Sequence, residues 1–254
     1  MQLSRNYVLA AVALWAVSLP LHAEEKPKAV LEQAIQAHGG NKNLARTLTG
    51  RLTAELKGTV SSDVEFTFQD EETFQLPRRY KRVLQGQFNG KPFRMTYAIE
   101  EGVGWIQQND EDPREYRGQK LPLEKYWNAI LAQLPELLRD DSILSAGGKA
   151  DFHGRPALAI KVAGQSNSIL YFDKETGLLA GSKKQMAGLL SPQVTEVKLV
   201  YGNYQDVEGV KFPKRFTASS GGKRVFDITI KKIEFLDKID DREFAKPELN
   251  RLPE

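Results

Sequence analysis

The chain has 254 residues, a formal net charge of +3 and no cysteine. Its 36 basic and 33 acidic side chains nearly balance, which gives no reason to expect a nucleic-acid partner. The lack of cysteine excludes disulfides, and it also excludes the cysteine that a lipid-anchored bacterial protein carries after its signal.

The first 23 residues have the layout of a secretory signal peptide. Arg5 supplies the positive charge, residues 7–19 form the apolar run, and Ala23 offers a small residue at the cleavage point. The run is shorter than the roughly 20 apolar residues that span a bilayer. We therefore predict export to the periplasm, with a signal peptide at residues 1–23 and one soluble domain at residues 24–254.

A helix is predicted immediately after this segment. Leu31, Ala34, Ile35 and His38 follow the i, i+3, i+4, i+7 spacing of one helical face. Two glycines, at 39 and 40, end it in the manner of a left-handed C-cap, and residues 41–47 are expected to add one further turn.

From residue 47 the apolar residues alternate with polar ones, which predicts strands with one buried face. The alternation runs to residue 99, with a hairpin at Asn89-Gly90, and a short strand with Trp105 follows. Residues 121–140 then form an apolar helical stripe with Pro135 inside it, where we expect a kink. Residues 149–235 return to alternating strands. Sequential hairpins favour one large antiparallel sheet, so the predicted class is α+β.

The sequence contains few candidate catalytic or metal-binding residues. The predicted mature chain has two histidines, His38 and His153, which form neither a paired metal motif nor a triad. No nucleophile elbow, zinc motif or phosphate-binding loop occurs. We therefore predict no enzyme activity, no cofactor and no metal.

Two charged groups are interpreted as solvated strand surface rather than as sites. The acidic residues 70–72 are expected at a strand end, facing solvent. Basic residues could flank a cavity mouth and attract acidic headgroups, but we favour a solvated strand face for them as well. They are Arg78, Arg79, Lys81, Arg82, Lys223, Arg224, Lys231 and Lys232.

Apolar side chains on the early strands and the later helix are the candidate site. On spacing alone such a stripe is more often a plain core than a pocket, but one kinked helix covers little of a large curled sheet, which favours an apolar cavity. The candidate cavity-lining residues are Phe66, Phe68, Phe93, Met95, Tyr97, Trp105, Trp127, Ile130 and Leu134.

Several segments resemble the LolA/LolB-like superfamily, periplasmic proteins of the outer-membrane lipoprotein-sorting type. They are "AHGG", "LARTLTGRLTAELKG", "GVGW" and "YGNYQDVEGVKFPKRF" with the strand that follows it. The resemblance implies a single large curved antiparallel sheet, a half-open β-barrel, with helices as a lid and an interior that holds acyl chains. None of the family's functional residues can be placed on this sequence.

The resulting functional expectation is a periplasmic carrier or chaperone that binds a lipid or a lipidated protein in an apolar cavity. Its predicted partners are an acyl chain or lipoprotein and an inner- or outer-membrane protein, and the protein is expected to be a monomer. The alternative is a non-enzymatic sensor or adaptor that docks a membrane protein.

Overall fold

The computed structural model describes residues 26–61, 64–117, 130–164, 168–188 and 191–246. Its α-helices in these ranges are α1 (Pro27–Ala37), α2 (Gly40–Arg46) and α3 (Ile130–Leu137). The strands are β1 (Thr49–Ser61), β2 (Val64–Gln75), β3 (Arg79–Phe88), β4 (Lys91–Glu100), β5 (Val103–Gln108), β6 (Arg114–Arg117), β7 (Leu144–Phe152), β8 (Arg155–Val162), β9 (Ser168–Asp173), β10 (Leu179–Gly188), β11 (Ser191–Val207), β12 (Val210–Ser220) and β13 (Lys223–Phe235).

These strands form one antiparallel sheet, as the sequence predicts. Its order is β6-β5-β4-β3-β2-β1-β13-β12-β11-β10-β9-β8-β7, so β6 and β7 are the two ends and the sheet does not close. Nearly every pair of neighbours is a hairpin along the chain. The exception is the central pair β1–β13, which joins the two halves of the molecule.

The helices lie in the concave side of this curved sheet. Leu31 and Ile35 of α1, Leu44 of α2 and Leu134 of α3 are fully buried. They share one hydrophobic core with side chains from strands of both halves of the sheet. Strands so far apart in the order contact the same core because the sheet curls around the helices. The α+β class and the half-open sheet with helical cover are confirmed.

The ends of α1 and α2 are set by glycine and histidine. Gly39 has a φ of +114°, a left-handed conformation that ends α1 and leads directly into α2. The sequence predicts one further turn at this point, and the structure has a separate seven-residue helix, α2. His38 caps α1 and is completely buried.

A 3-10 turn at Asp241–Phe244 follows the last strand. It packs on the convex side of β3 and β4. Lys81 Nζ donates a hydrogen bond to the Glu243 carbonyl oxygen at 2.8 Å, and the Arg79 guanidinium pairs with Asp241 and lies over the ring of Phe244. The turn therefore covers a part of the convex face that would otherwise be solvated.

Candidate ligand-binding site

Five of the predicted cavity residues meet on the concave face of β2 and β4. The register of β3 with its two neighbours places Phe66, Phe68, Phe93, Met95 and Tyr97 on that face. The rings of Phe68 and Phe93 have centroids 5.4 Å apart, and those of Phe66 and Phe68 are 5.3 Å apart. The period-two pattern thus brings together side chains that are distant in sequence.

Burial within this group is graded. Phe66 and Phe68 are buried, whereas Phe93, Met95 and Tyr97 are only half-buried. Phe88 of β3, which the sequence pattern did not single out, is also half-buried, and its ring is tilted against that of Phe93 with centroids 5.9 Å apart. The concave face therefore has an apolar, partly exposed end at the β3–β4 hairpin.

The helix that was predicted over residues 121–140 is described only in part. Ile130 and Leu134 of α3 are buried in the common core, as expected for residues that cover the sheet. Pro135 lies inside α3. Trp127 and the rest of the predicted helix before Ile130 lie outside the described residues.

Trp105 is a correction to the predicted set. It pairs with Ala98, which in turn pairs with Lys81, and this row faces the convex side of the sheet. The indole Nε1 of Trp105 donates a hydrogen bond to the Phe244 carbonyl oxygen at 3.1 Å. The side chain is buried under the C-terminal turn, opposite the concave residues. Alternation could not assign its face, since Trp105 and Ile106 are both apolar.

The space beneath α3 is small. A cavity of about 30 Å³ lies between α3 and β8–β10. Its lining residues include Leu134, Leu137 and Leu170, together with the buried polar side chains of Ser182 and Lys184. Ligand pockets for small molecules usually measure about 300–1,000 Å³. The space between α3 and β8–β10 is thus filled mainly by side chains.

Three charged side chains are buried on the same concave face, between apolar rows. Asp70, Glu72 and Arg82 are 0%, 1% and 5% exposed. Arg82 donates two hydrogen bonds to the Asp70 carboxylate, and the distance from its Nε to Asp70 Oδ1 is 2.8 Å. Glu72 Oε1 lies 3.5 Å from the same Nε atom. We call these three residues the buried ion cluster.

The interpretation as solvated surface is wrong for Asp70, Glu72, Arg79 and Arg82. It is confirmed for the exposed residues of the two groups, which include Glu71, Arg78, Lys231 and Lys232. Asp70 and Glu72 are in the middle of β2 rather than at its end, and Arg79 and Arg82 are both buried. The even-numbered positions of β2 face inward from Phe66 to Phe74 without a break. The alternation of even and odd positions is present in the sequence. The prediction nevertheless placed these charged residues in solvent, because charged residues are usually exposed.

Burial shifts the acid–base properties of the groups around the cluster. Burial, reinforced by the negative charge of Glu72, raises the pKa of Tyr80 well above its usual value. Burial also raises the pKa of Tyr97. Burial alone would lower the pKa of Arg82, but the charge of Asp70, its hydrogen bond and the charges of Tyr80 and Glu72 together outweigh burial, and the pKa lies well above the ordinary value. The arginine stays charged and the tyrosines stay neutral.

The two histidines in the described residues, His38 and His153, lie in structural rather than catalytic surroundings. His38 Nδ1 donates to the Lys211 carbonyl oxygen at 2.8 Å, and its Nε2 accepts from the Leu179 amide at 3.1 Å. Burial lowers the pKa of His38 to about 4. His153 occupies a tight turn with a φ of +56°. Among the described residues no group of three histidine, aspartate or glutamate side chains is arranged to hold a metal ion.

A hairpin tip docks against the junction of α1 and α2. Glu208 and Gly209 form the turn between β11 and β12, both with positive φ. Asn43 Nδ2 donates to the carbonyl oxygens of Gly39 at 3.0 Å and Gly209 at 3.3 Å, and Arg46 pairs with Glu208. The "AHGG" and "DVEG" segments, which carry much of the family resemblance, thus contact each other directly.

No α-helix in the described part of the chain is long and apolar enough to cross a membrane. Comparison with protein-family models finds no match. Comparison with curated protein sequences finds no match either.

Two solved structures resemble the chain over most of its length. A LolA superfamily protein from Nitrosomonas europaea has a TM-score of 0.54 at 9% sequence identity, and the match covers 87% of this chain and 98% of that one. An outer-membrane lipoprotein-sorting protein domain from Vibrio parahaemolyticus has a TM-score of 0.50 at 10% identity, covering 85% and 96%. The chain therefore has a LolA-like fold.

Proposed function

We propose that the protein is a periplasmic carrier or chaperone that binds the acyl chain of a lipid or lipidated protein on the concave face. The observation that carries the proposal is the half-buried apolar end formed by Phe88, Phe93 and Met95, continuous with the buried rings of Phe66 and Phe68. The likeness to a lipoprotein-sorting domain supports the same choice.

The half-buried end lies on β2–β4 and α3 packs against β8–β10, so a chain that extends from that end into the common core displaces α3 from part of its place there. The cavity beneath it, about 30 Å³, cannot hold a lipid chain. Burying each CH₂ group of a chain contributes about 0.8 kcal/mol, which offsets the loss of contacts of Ile130 and Leu134. The bound chain thus replaces apolar helix side chains with apolar ligand.

The remaining parts of the proposal follow from the sequence. We propose that residues 1–23 direct export and are cleaved, and that residues 24–254 act as one domain and as a monomer. The protein would act by holding its ligand and not by converting it. The ligand's identity would be set by the shape of the apolar end and by the buried ion cluster beside it.

The test measures ligand binding directly. Lipids are extracted from protein purified from its native periplasm and identified by mass spectrometry, and a fluorescent fatty acid is titrated into delipidated protein. Phe93→Glu places a charge at the apolar end and is expected to weaken fatty-acid binding at least about tenfold. Val103→Glu is the matched control, since Val103 is 53% exposed on the convex face.

Retained acyl species in wild type, with loss of binding in Phe93→Glu alone, would support the proposal. Wild-type protein that retains no lipid and binds no fatty acid would end it.

The filled core favours one rival, a sensor or adaptor that docks a membrane protein without any ligand. Affinity capture from solubilised envelopes would then recover a stoichiometric protein partner on ligand-free protein. The same capture with Phe93→Glu separates the two cases, because an adaptor that binds through another surface keeps its partner in that variant.

A further inference from the structure

The convex face of β7–β11 carries a second apolar cluster. It consists of Phe152, Ala157, Ala159 and Tyr171, and all of its members come from strands. Phe152 and Tyr171 stack with ring centroids 4.4 Å apart. The described helices pack into the concave core instead, so this face of the sheet stays on the outside of the molecule.

Three lysines form a row across this face. Register pairs Lys161 with Ile169, Ile169 with Lys183, and Lys183 with Lys198. The row continues at either end into uncharged residues, Ser145 and Ser219. Neighbouring strands are about 4.8 Å apart, so the row spans about 14 Å. We call Lys161, Lys183 and Lys198 the lysine row.

The row lacks the neutralising partners that cations have elsewhere on the convex face. Lys57 and Lys231 both pair with Glu55, at 2.6 and 3.1 Å, and Arg215 pairs with Asp227 at 2.6 Å. Within the described ranges no ion pair joins the lysine row to a carboxylate. Lys198 instead lies over the ring of Phe152, with Nζ 4.5 Å from the centroid.

The arrangement is unfavourable for the folded protein alone. Lys183 and Lys198 face each other directly on adjacent strands, and like charges in that position destabilise a sheet. Glu196 is the acidic residue on the same face of β11, one alternation step from Lys198. An external negative charge would relieve the repulsion.

The chemistry of the row fits a surface of many mobile anions. Lysines are compact charges on flexible stems and lack the planar fork by which arginine grips one carboxylate or phosphate. Val194, which is 64% exposed, projects from the same face of β11 four residues before Lys198. Basic side chains beside an exposed aliphatic group are typical of proteins that rest on a lipid headgroup layer.

We propose that the lysine row is a docking surface for an anionic phospholipid bilayer. The choice of a lipid layer as the polyanion rests on the proposed function, because a carrier of acyl chains must reach a membrane to load or release them. Docking uses the convex face of β8–β11, whereas ligand binding uses the concave face. The two activities are therefore separable by mutation.

The test is co-sedimentation with vesicles of phosphatidylethanolamine and phosphatidylglycerol at about 0.1 M salt, with phosphatidylcholine vesicles as the neutral comparison. Each lysine near an anionic surface contributes roughly a fivefold increase in affinity, so Lys161→Gln/Lys183→Gln/Lys198→Gln should bind about a hundredfold more weakly. Salt near 1 M should abolish binding of wild type, because the screening length falls to about 3 Å.

The matched control is Lys57→Gln/Lys231→Gln/Lys232→Gln, which removes the same net charge from paired positions. We expect it to bind the anionic vesicles within about threefold of wild type, since those lysines already have carboxylate partners. Replacing the lysine row by three arginines should keep binding. Lys161→Glu, an exposed single change, repeats the test if the triple variant unfolds.

The proposal would be overturned if wild-type protein did not bind vesicles that contain phosphatidylglycerol. It would also be overturned if the triple variant at Lys57, Lys231 and Lys232 lost as much affinity for them as the triple variant of the lysine row. Phe93→Glu distinguishes this result from the proposed function. It should still dock on anionic vesicles even though its fatty-acid binding is weakened, and a loss of both activities in the lysine variants would contradict separate surfaces.

Discussion

His38 connects three parts of the chain through one neutral ring. Its Nδ1 donates to the carbonyl of Lys211, its Nε2 accepts from the amide of Leu179, and its own carbonyl accepts from the Lys211 amide. The tip of α1, the start of β12 and the β9–β10 turn are thereby held together. A charged imidazolium could not accept the Leu179 bond, so protonation and folding oppose each other.

The pH dependence follows from the pKa of His38, which is about 4 in the folded chain against 6.5 in the unfolded one. The unfolded state binds the proton first, so stability present above pH 6.5 declines as the pH falls to 4 and then levels off. We expect His38 to contribute about 3 kcal/mol to this decline. Urea unfolding of wild type and His38→Gln at several pH values measures it. A stability difference between the two proteins that is independent of pH would contradict the assignment.

Arg82 is the residue on which the buried ion cluster depends. Arg82→Met leaves Asp70 and Glu72 buried without a cation, and we expect a loss of about 3–5 kcal/mol in the free energy of unfolding. Arg215→Met is the matched control, because Arg215 and Asp227 form a similar two-bond pair in which the Arg215 side chain is 52% exposed. It should cost less than about 1 kcal/mol.

A further variant separates two effects of Arg82→Met: the loss of the arginine's own interactions, and the burial of Asp70 and Glu72 without a cation. Neutralising all three positions, with Asp70→Asn, Glu72→Gln and Arg82→Met together, should be less destabilising than Arg82→Met alone. If the triple variant is the less stable protein, the attraction inside the cluster exceeds its desolvation cost, and unpaired buried charge is not the cause of the loss in Arg82→Met.

At the scale of elements, the hairpin tip at Glu208-Gly209 and the α1–α2 junction depend on close backbone approach. A side chain at Gly39 would overlap the Gly209 carbonyl oxygen, and its φ of +114° is unfavourable for other residues. Gly39→Ala should therefore destabilise the protein by several kcal/mol, in the range of substitutions that force packed backbone apart.

Gly90 provides the comparison for that substitution. It also has positive φ, at +71°, but open space lies where a Cβ would be added. Gly90→Ala should cost only the backbone conformational term, about 1–2 kcal/mol. Equal destabilisation of the two variants in urea unfolding would show that the contact with Gly209 is unimportant.

Some elements of the fold could be predicted from the sequence alone and others could not. The single sheet, α1, and the shared face of Phe68, Phe93 and Tyr97 were predictable, because period-two alternation assigns faces and hairpin turns assign neighbours. The face of Trp105 was not, since its burial depends on a carbonyl 139 residues later. The buried ion cluster was not predicted for a different reason. Charged residues are usually exposed, and this general preference was given more weight than the inward-facing even-numbered positions of β2.

At the scale of the whole molecule, the strand order makes β13 the central connection. It pairs with β1 on one side and β12 on the other, so it joins the half built from β1–β6 to the half built from β7–β12. Its residues Ile228, Ile230 and Ile233 belong to the common core. Neither half buries its apolar concave face without the other.

Deletion of residues 223–254 should therefore prevent folding, whereas deletion of residues 247–254 leaves every described element in place. We expect the longer deletion to lose the cooperative thermal transition in circular dichroism and to be recovered mainly as aggregate, because two apolar half-sheets acquire new free edges. A cooperative transition in the longer deletion would mean that β1–β12 form an independent folding unit.

The buried ion cluster also divides the concave face along its length. Register places Phe68 and Phe93 in one row, Glu72, Arg82 and Tyr97 two rows further, and Phe74 and Tyr80 beyond them. An acyl chain that enters at the half-buried end meets fixed charges after four residues of β2, about 14 Å from Phe66. For a lipid carrier the cluster would then act as a stop that limits how long a chain is accepted, so affinity should rise with chain length and level off once the methyl end reaches Asp70.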